Sequence, residues 1–205
     1  MKLPVPPLLV ISDRSQARQP LIEVAEAAFA GGCRWFSLRE KDLSAVERRV
    51  LLVELVALGR RYRATIMAHE DIDAVEAAGA AGVHLPGGSN PAMARRRLPQ
   101  GLIGVSAHSA AEAGALLRAG ADYVTLSPIF LTDSKPGYGP ALGLDALAAA
   151  STAPGPIIAL AGIGPDNAAQ CLTAGARGIA VMGEIMRAAD PEATIRRFIT
   201  AIEKK

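Results

Sequence analysis

The stretch from Ile103 to Leu126, IGVSAHSAAEAGALLRAGADYVTL, holds one full structural period of this chain. Ile103 to Ser106 is a short β-rich run, and Ala110 to Ala119 follows with aliphatic residues at helical spacing. Ala119-Gly120-Ala121 fits a tight helix-to-strand turn, because glycine tolerates positive φ. Tyr123 to Leu126 then begins the next period. Outward from this unit, strands are expected at Leu8 to Ile11, Trp35 to Leu38, Thr65 to Met67, Gly82 to Leu85, Ile157 to Leu160 and Gly178 to Val181, which makes eight. Their apolar runs are continuous rather than alternating, as in parallel strands covered on both faces. The small-residue phrase repeats as Ala30-Gly31-Gly32, Ala80-Ala81-Gly82 and Ala174-Gly175-Ala176.

Further helices are expected at Leu21 to Phe29, Val46 to Arg61, Leu142 to Ala150, Asn167 to Ala174 and Ala193 to Ile202. The first places Leu21, Val24, Ala25 and Ala28 on one apolar face. The second places Val46, Val50, Val53, Leu55 and Leu58 inward and leaves Arg48, Arg49 and Arg60 for solvent. Eight β/α units predict an α/β fold of one domain over residues 1–205, a closed (β/α)8 TIM barrel. At about 26 residues per unit the loops must be short. An open doubly wound sheet is the competing arrangement, although it usually has fewer strands.

Composition narrows the function classes. Half of the 205 residues are hydrophobic, 20% are charged and 4% aromatic, which excludes a disordered chain. Lys plus Arg at 22 against Asp plus Glu at 20 gives +2, with no electrostatic footprint for nucleic acid. Two cysteines, Cys33 and Cys171, make neither a disulfide framework nor a four-thiolate metal site, and they suit a reducing compartment. No stretch reaches the ~20 uninterrupted apolar residues of a membrane span, and no long apolar run follows Lys2 as in a signal peptide. A soluble, cytoplasmic protein is expected.

Barrel chemistry belongs at the C-terminal ends of the strands. Gly162, after the seventh strand, and Gly183, after the eighth, would expose backbone N–H groups to a phosphate, each just before a helix. Arg39, Lys41 and Lys135 come from different strand ends and are candidates to converge on a second, more highly charged anion. Thr132, Ser134 and Ser106 offer hydroxyls nearby. Glu70, Asp71, Asp42 and Asp13 are candidate oxygen ligands for Mg²⁺, although Asp71 reads as a helix cap. His69 and His108 are candidate acids or bases, whereas His84, between Val83 and Leu85, reads as a hydrogen-bonded interior residue.

These residues resemble the thiamine-phosphate synthases and their relatives, the TenI-type thiazole tautomerases. The resemblance covers most of the chain. It rests on Leu38-Arg39-Glu40-Lys41, Gly82-Val83-His84-Leu85, the run Gly104 to Ser109, Gly120-Ala121-Asp122-Tyr123-Val124, the run Ser127 to Lys135, and Ala161-Gly162-Ile163, in this order. It implies a barrel that joins 4-amino-2-methyl-5-hydroxymethylpyrimidine diphosphate to a thiazole phosphate with release of pyrophosphate. It further implies that Arg39, Lys41 and Lys135 grip the diphosphate. Thr132, Ser134 and Ser106 would contact the thiazole substrate or the diphosphate, and Gly162 and Gly183 would hold the thiazole phosphate.

Mg²⁺ is the implied cofactor and small phosphorylated compounds the implied partners, with a homo-oligomer compatible with the family. His69-Glu70 stands where the synthase pattern has Asn-Asp, so Glu70 is the implied metal ligand. Ser89 occupies the position of a second metal carboxylate, and Ser37 that of a Gln that binds the pyrimidine. Glu184 replaces a small residue after the last strand. The tautomerase pattern has its catalytic His where this chain has Pro128, which leaves His69 as the acid/base candidate for that activity. A non-catalytic barrel that binds a phosphorylated ligand is the third reading.

Overall fold

A computed structural model describes residues 2–132 and 140–203. The strands are β1 (Leu8–Ile11), β2 (Trp35–Leu38), β3 (Thr65–His69), β4 (Gly82–Leu85), β5 (Leu102–Ala107), β6 (Tyr123–Leu126), β7 (Ile157–Leu160) and β8 (Gly178–Val181). They close in chain order, every neighbouring pair parallel, with Leu8 of β1 opposite Ile179 of β8. An open sheet would leave those two edges unpaired, so the closed (β/α)8 barrel is the fold.

The helices are α1 (Leu21–Ala30), α2 (Ala45–Tyr62), α3 (Ile72–Ala78), α4 (Pro91–Arg97), α5 (Ala110–Arg118), α6 (Gly143–Ala150), α7 (Ala168–Thr173), α8 (Gly183–Met186) and α9 (Pro191–Glu203). Sequence periodicity locates the six that bury a clear face. It misses α3, α4 and α8, which are at most seven residues long. Caps hold α3 and α4 instead: Asp71 accepts from Ala74 N at 2.9 Å, and Asn90 accepts from Ala92 N at 3.0 Å ahead of Pro91. Three of the four small-residue phrases do turn on positive φ, at Gly32, Gly120 and Gly175. In the fourth the left-handed residue is Gly79, and Gly82 lies within β4.

The strand residues alternate between two cores. Phe36, Val83, Val105, Val124 and Ile179 face the helices, whereas Leu9, Trp35, Met67, Tyr123 and Ile158 fill the barrel. Trp35 and Tyr123, the first residues of β2 and β6, meet edge to face at 4.8 Å and close the floor. Two residues further along these strands the interior becomes polar, with Ser37 and Thr125 buried and Thr125 Oγ1 3.3 Å from His84 Nε2.

On α2 the expected face is wrong in part. Leu52, Leu55, Val56, Leu58 and Gly59 pack inward, but Val46, Val50 and Val53 are exposed by 73%, 65% and 49%. The helix carries two apolar stripes, and periodicity cannot choose between them. Packing can: a Cβ on Gly59 would lie 2.6 Å from Ile66 Cγ1 of β3, so only this face brings the helix axis close to the sheet. Arg49 and Arg60 are exposed as expected, while Arg48 is half-buried against Asp71 at 3.5 Å. Among the described residues no helix is long and apolar enough to cross a membrane.

Candidate active site

The polar end of the barrel opens into a cavity of about 480 Å³. Arg39, Lys41, His69, Glu70, Ser106, Thr132, Gly162 and Gly183 all line it, although they come from six different strand ends. A second recess of about 610 Å³ shares Arg39, Lys41, His69 and Glu70 and continues outward past Arg48, Asp73 and Arg97. Ser37 is fully buried and is not among the lining residues; its position two residues before Arg39 on β2 sets it one layer deeper. Ser89 lies in the β4–α4 connection and also does not line either space, although Pro86 and Gly87 beside it line the mouth. Ser134 and Lys135 lie outside the described residues.

The β2 end is built around a buried acid. Glu40 is 2% exposed, and one of its carboxylate oxygens accepts from Arg14 N at 2.9 Å. Ser12 Oγ accepts from Arg39 N at 2.8 Å. Burial pushes the Glu40 carboxyl up, against a hydrogen bond with Ser12. These contacts lock the chain after β2 to the turn after β1, and leave Arg39 and Lys41, on either side of Glu40, at the mouth. Asp13 and Asp42 are engaged locally and do not line the mouth. Asp13 accepts from Ser15 Oγ at 2.6 Å and Gln16 Nε2 at 2.7 Å, and Asp42 pairs with Arg14 at 2.5 Å.

At the β3 end, Glu70 adopts φ 64, a left-handed conformation that costs a side chain about 1 kcal/mol. Its N–H donates to His84 O at 3.0 Å, and its carboxylate lies 4.0 Å from Lys41 Nζ. Asp71 caps α3, as the sequence suggests.

Beneath the mouth lies a hydrogen-bonded column. His84 is 1% exposed, with Nδ1 3.0 Å from Tyr123 Oη, and Nε2 3.0 Å from Ser106 Oγ and 3.3 Å from Thr125 Oγ1. Burial pushes the imidazole down to about 3, so it is neutral and fixes the Ser106 hydroxyl. The His69 ring sits 4.7 Å from that of His84. His108 also lines the cavity, with Nδ1 donating to Ser127 O at 3.0 Å.

The buried neutral His84 has a pH consequence. The unfolded chain binds a proton at this residue below its ordinary value of 6.5, and the native state does so only near 3. Native stability is therefore fully present above pH 6.5 and falls as pH drops toward 3, by up to about 1.4 kcal/mol per pH unit from this group. The raised Glu40 acts in the opposite sense, so the comparison is with a His84→Gln variant. Its urea-unfolding free energy should fall less steeply over that interval, and equal slopes would remove His84 as the cause.

On the β7–β8 side, Gly162 has φ 65, and a Cβ there would meet Leu131 O at 2.3 Å. Asn167 pins this loop: its Nδ2 donates to Gly162 O at 2.9 Å and its Oδ1 accepts from Gly164 N at 2.9 Å. Gly183 begins the single turn of α8 and is followed directly by Glu184, and Arg187 caps its C-terminus, all three on the cavity wall. Arg187, which donates to Gln16, escaped the sequence reading, as did Glu40's anchoring role. For Arg187 the only available signal was its place one turn beyond Gly183. Among the described residues, no three His, Cys, Asp or Glu side chains gather into a metal cluster.

The sequence profile of thiamine monophosphate synthase matches residues 8–185. A thiamine-phosphate synthase of Moorella thermoacetica is 37% identical over 200 residues, covering 93% of this chain and 92% of that protein. One from Chloroflexus aurantiacus is 38% identical over 194 residues, covering 93% and 90%. The solved structure of thiamine phosphate pyrophosphorylase from Pyrococcus furiosus superposes with a TM-score of 0.87 at 30% identity, covering 96% of this chain and 95% of that one. Strand-end chemistry, barrel closure and sequence similarity over nearly the whole length agree, and the chain belongs to the thiamine monophosphate synthase family.

Proposed function

We infer that this protein is a thiamine-phosphate synthase-type transferase of thiamine biosynthesis, coupling a pyrimidine diphosphate to a thiazole phosphate. The observation that carries the reading is one cavity lined both by the cations Arg39 and Lys41 and by the glycines Gly162 and Gly183, residue types suited to two anions.

Arg39 and Lys41, with Lys135 from the β6 connection, bind the diphosphate. Ser106, Thr132 and Ser134 supply hydroxyls to the thiazole substrate or the diphosphate. The backbone at Gly162 and Gly183 binds the thiazole phosphate. The carbon–oxygen bond of the pyrimidine methylene breaks, and the electron pair leaves with pyrophosphate. The thiazole nitrogen then donates its lone pair to the resulting cation. No protein nucleophile is needed; the residues hold the two substrates in line and stabilise the departing charge.

The donor set at Glu70 fits Mg²⁺, which commonly takes one or two carboxylates and fills its shell with phosphate oxygens and water. The Glu70 side chain is 51% exposed at the mouth and open to such a shell. Bound there, the ion would add positive charge against the leaving diphosphate. Ser89, outside the lining, adds nothing to this set. The buried thiols Cys33 and Cys171, each pushed up to about 11 by burial, are unreactive and suit a cytoplasmic enzyme.

Incubation with both substrates and Mg²⁺ should yield thiamine phosphate and pyrophosphate, and no product beside an active synthase control would sink this reading. Glu70→Gln should raise the Mg²⁺ concentration for half-maximal rate at least tenfold, as loss of one hard ligand predicts. His69 on the cavity wall favours a second reading, aromatising tautomerase activity on a thiazole phosphate carboxylate. That activity would need neither metal nor pyrimidine and would vanish in His69→Ala.

A further inference from the structure

Val46, Val50, Val53 and Ala57 are all exposed on α2 and recur at spacings of four, three and four residues. This is the spacing of a coiled-coil seam, and over these residues it runs about 16 Å along the helix. The inward face of α2 is already packed by Leu52, Leu55, Val56 and Gly59, so the seam is a second apolar face with no partner among the described residues. Its two borders carry opposite charge. At 100° per residue, Arg49 and Arg60 flank the seam on one side, and Glu47 and Glu54 on the other. Arg49 and Glu54 form no ion pair among the described residues, whereas Arg48 and Arg61 do, with Asp71 and Glu26.

We propose that the seam is the contact of a twofold homodimer in which the α2 helices of two copies lie parallel, with Arg49 of each copy against Glu54 of the other. The borders select this arrangement. Two parallel helices face to face, related by a twofold axis along their length, bring the basic border of one beside the acidic border of its copy. Glu54 lies five positions after Arg49, the offset of flanking ion pairs in parallel coiled coils. An antiparallel pairing would set Arg49 and Arg60 against the same residues of the copy, and likewise Glu47 and Glu54, which is repulsive on both sides. One helix on each side covers less than the ~800 Å² per partner of a standard interface, so the dimer is weak and its population follows concentration.

Sedimentation velocity over a range of protein concentrations tests this. The unsubstituted chain should pass from monomer to dimer, and Val53→Asp, at an exposed position remote from the cavity, should weaken association at least tenfold with melting temperature and turnover per chain unchanged. Arg49→Glu and Glu54→Arg should each weaken it roughly fivefold, and the double reversal should restore it. Val53→Cys should form a covalent dimer under mild oxidation, since the native Cys33 and Cys171 are fully buried. A monomer at the highest attainable concentration, or a dimer indifferent to Val53→Asp, would overturn the proposal. Failure of the double reversal to restore association would overturn the parallel arrangement.

Discussion

Arg39→Ala is expected to lower kcat/KM for thiamine phosphate formation roughly 10²–10³-fold, or about 3–4 kcal/mol of transition-state stabilisation. The charge that develops in this reaction is on the departing diphosphate. A guanidinium can meet it with two parallel N–H donors. What the fold requires of residue 39 is its backbone N–H, which donates to Ser12 Oγ at 2.8 Å and which alanine keeps. Glu40 stays in place for the same reason, because its anchor is Arg14 N. Stability to urea should therefore change by less than about 1 kcal/mol while turnover collapses. Arg39→Lys should recover only part of the loss, because an ammonium is a point charge and cannot fork two oxygens. Steady-state kinetics with both substrates, beside a urea melt, checks all three points, and an unchanged rate in the alanine variant would take Arg39 out of the diphosphate site.

Gly162→Ala should damage both stability and substrate affinity. Residue 162 is left-handed, and its added Cβ would lie 2.3 Å from Leu131 O and 2.6 Å from Phe130 Cβ. Those atoms belong to backbone and the base of a side chain, so the loop itself must move. The conformational cost and the overlap together amount to about 2–4 kcal/mol. In a chain of this size that lowers Tm by roughly 5–15 °C. Asn167 bonds both Gly162 and Gly164, so the displacement passes to the backbone that would receive the phosphate. KM for the thiazole phosphate should rise about tenfold or more, with KM for the pyrimidine diphosphate changing far less. An equal rise for both substrates would point to general loosening of the barrel rather than loss of a phosphate cradle.

Much of this molecule is legible in its sequence because barrel strands are short, apolar and separated by helices with a face to bury. Tyr123 to Leu126 or Gly178 to Val181 can be read in isolation, since each is determined by its own residues and the turn before it. Helices α3 and α4 cannot, because seven residues give too few turns for a period and their stability comes from Asp71 and Asn90 as caps. The site divides in the same way. Arg39, Lys41, Ser106 and Gly162 are legible as strand-end residues, but their meeting around one space depends on closure of β8 onto β1. Ser37 and Ser89 show the limit of matching positions to a pattern: the first lies below the mouth and the second beside it.

By itself the sequence determined the number and order of the β/α units, the residue types at each strand end and the family, because these depend on local periodicity and on identity along the chain. The tertiary structure alone decided which of two apolar stripes on α2 turns inward, which acids are spent on Arg14 and on helix caps, and that Glu40, between Arg39 and Lys41 in the chain, is buried against Arg14 N. The reason is physical. A side chain's direction and partners depend on groups brought near by closure of the barrel, and the distance from Ser12 to Arg39 or from His84 to Tyr123 is not a property of either residue's own segment.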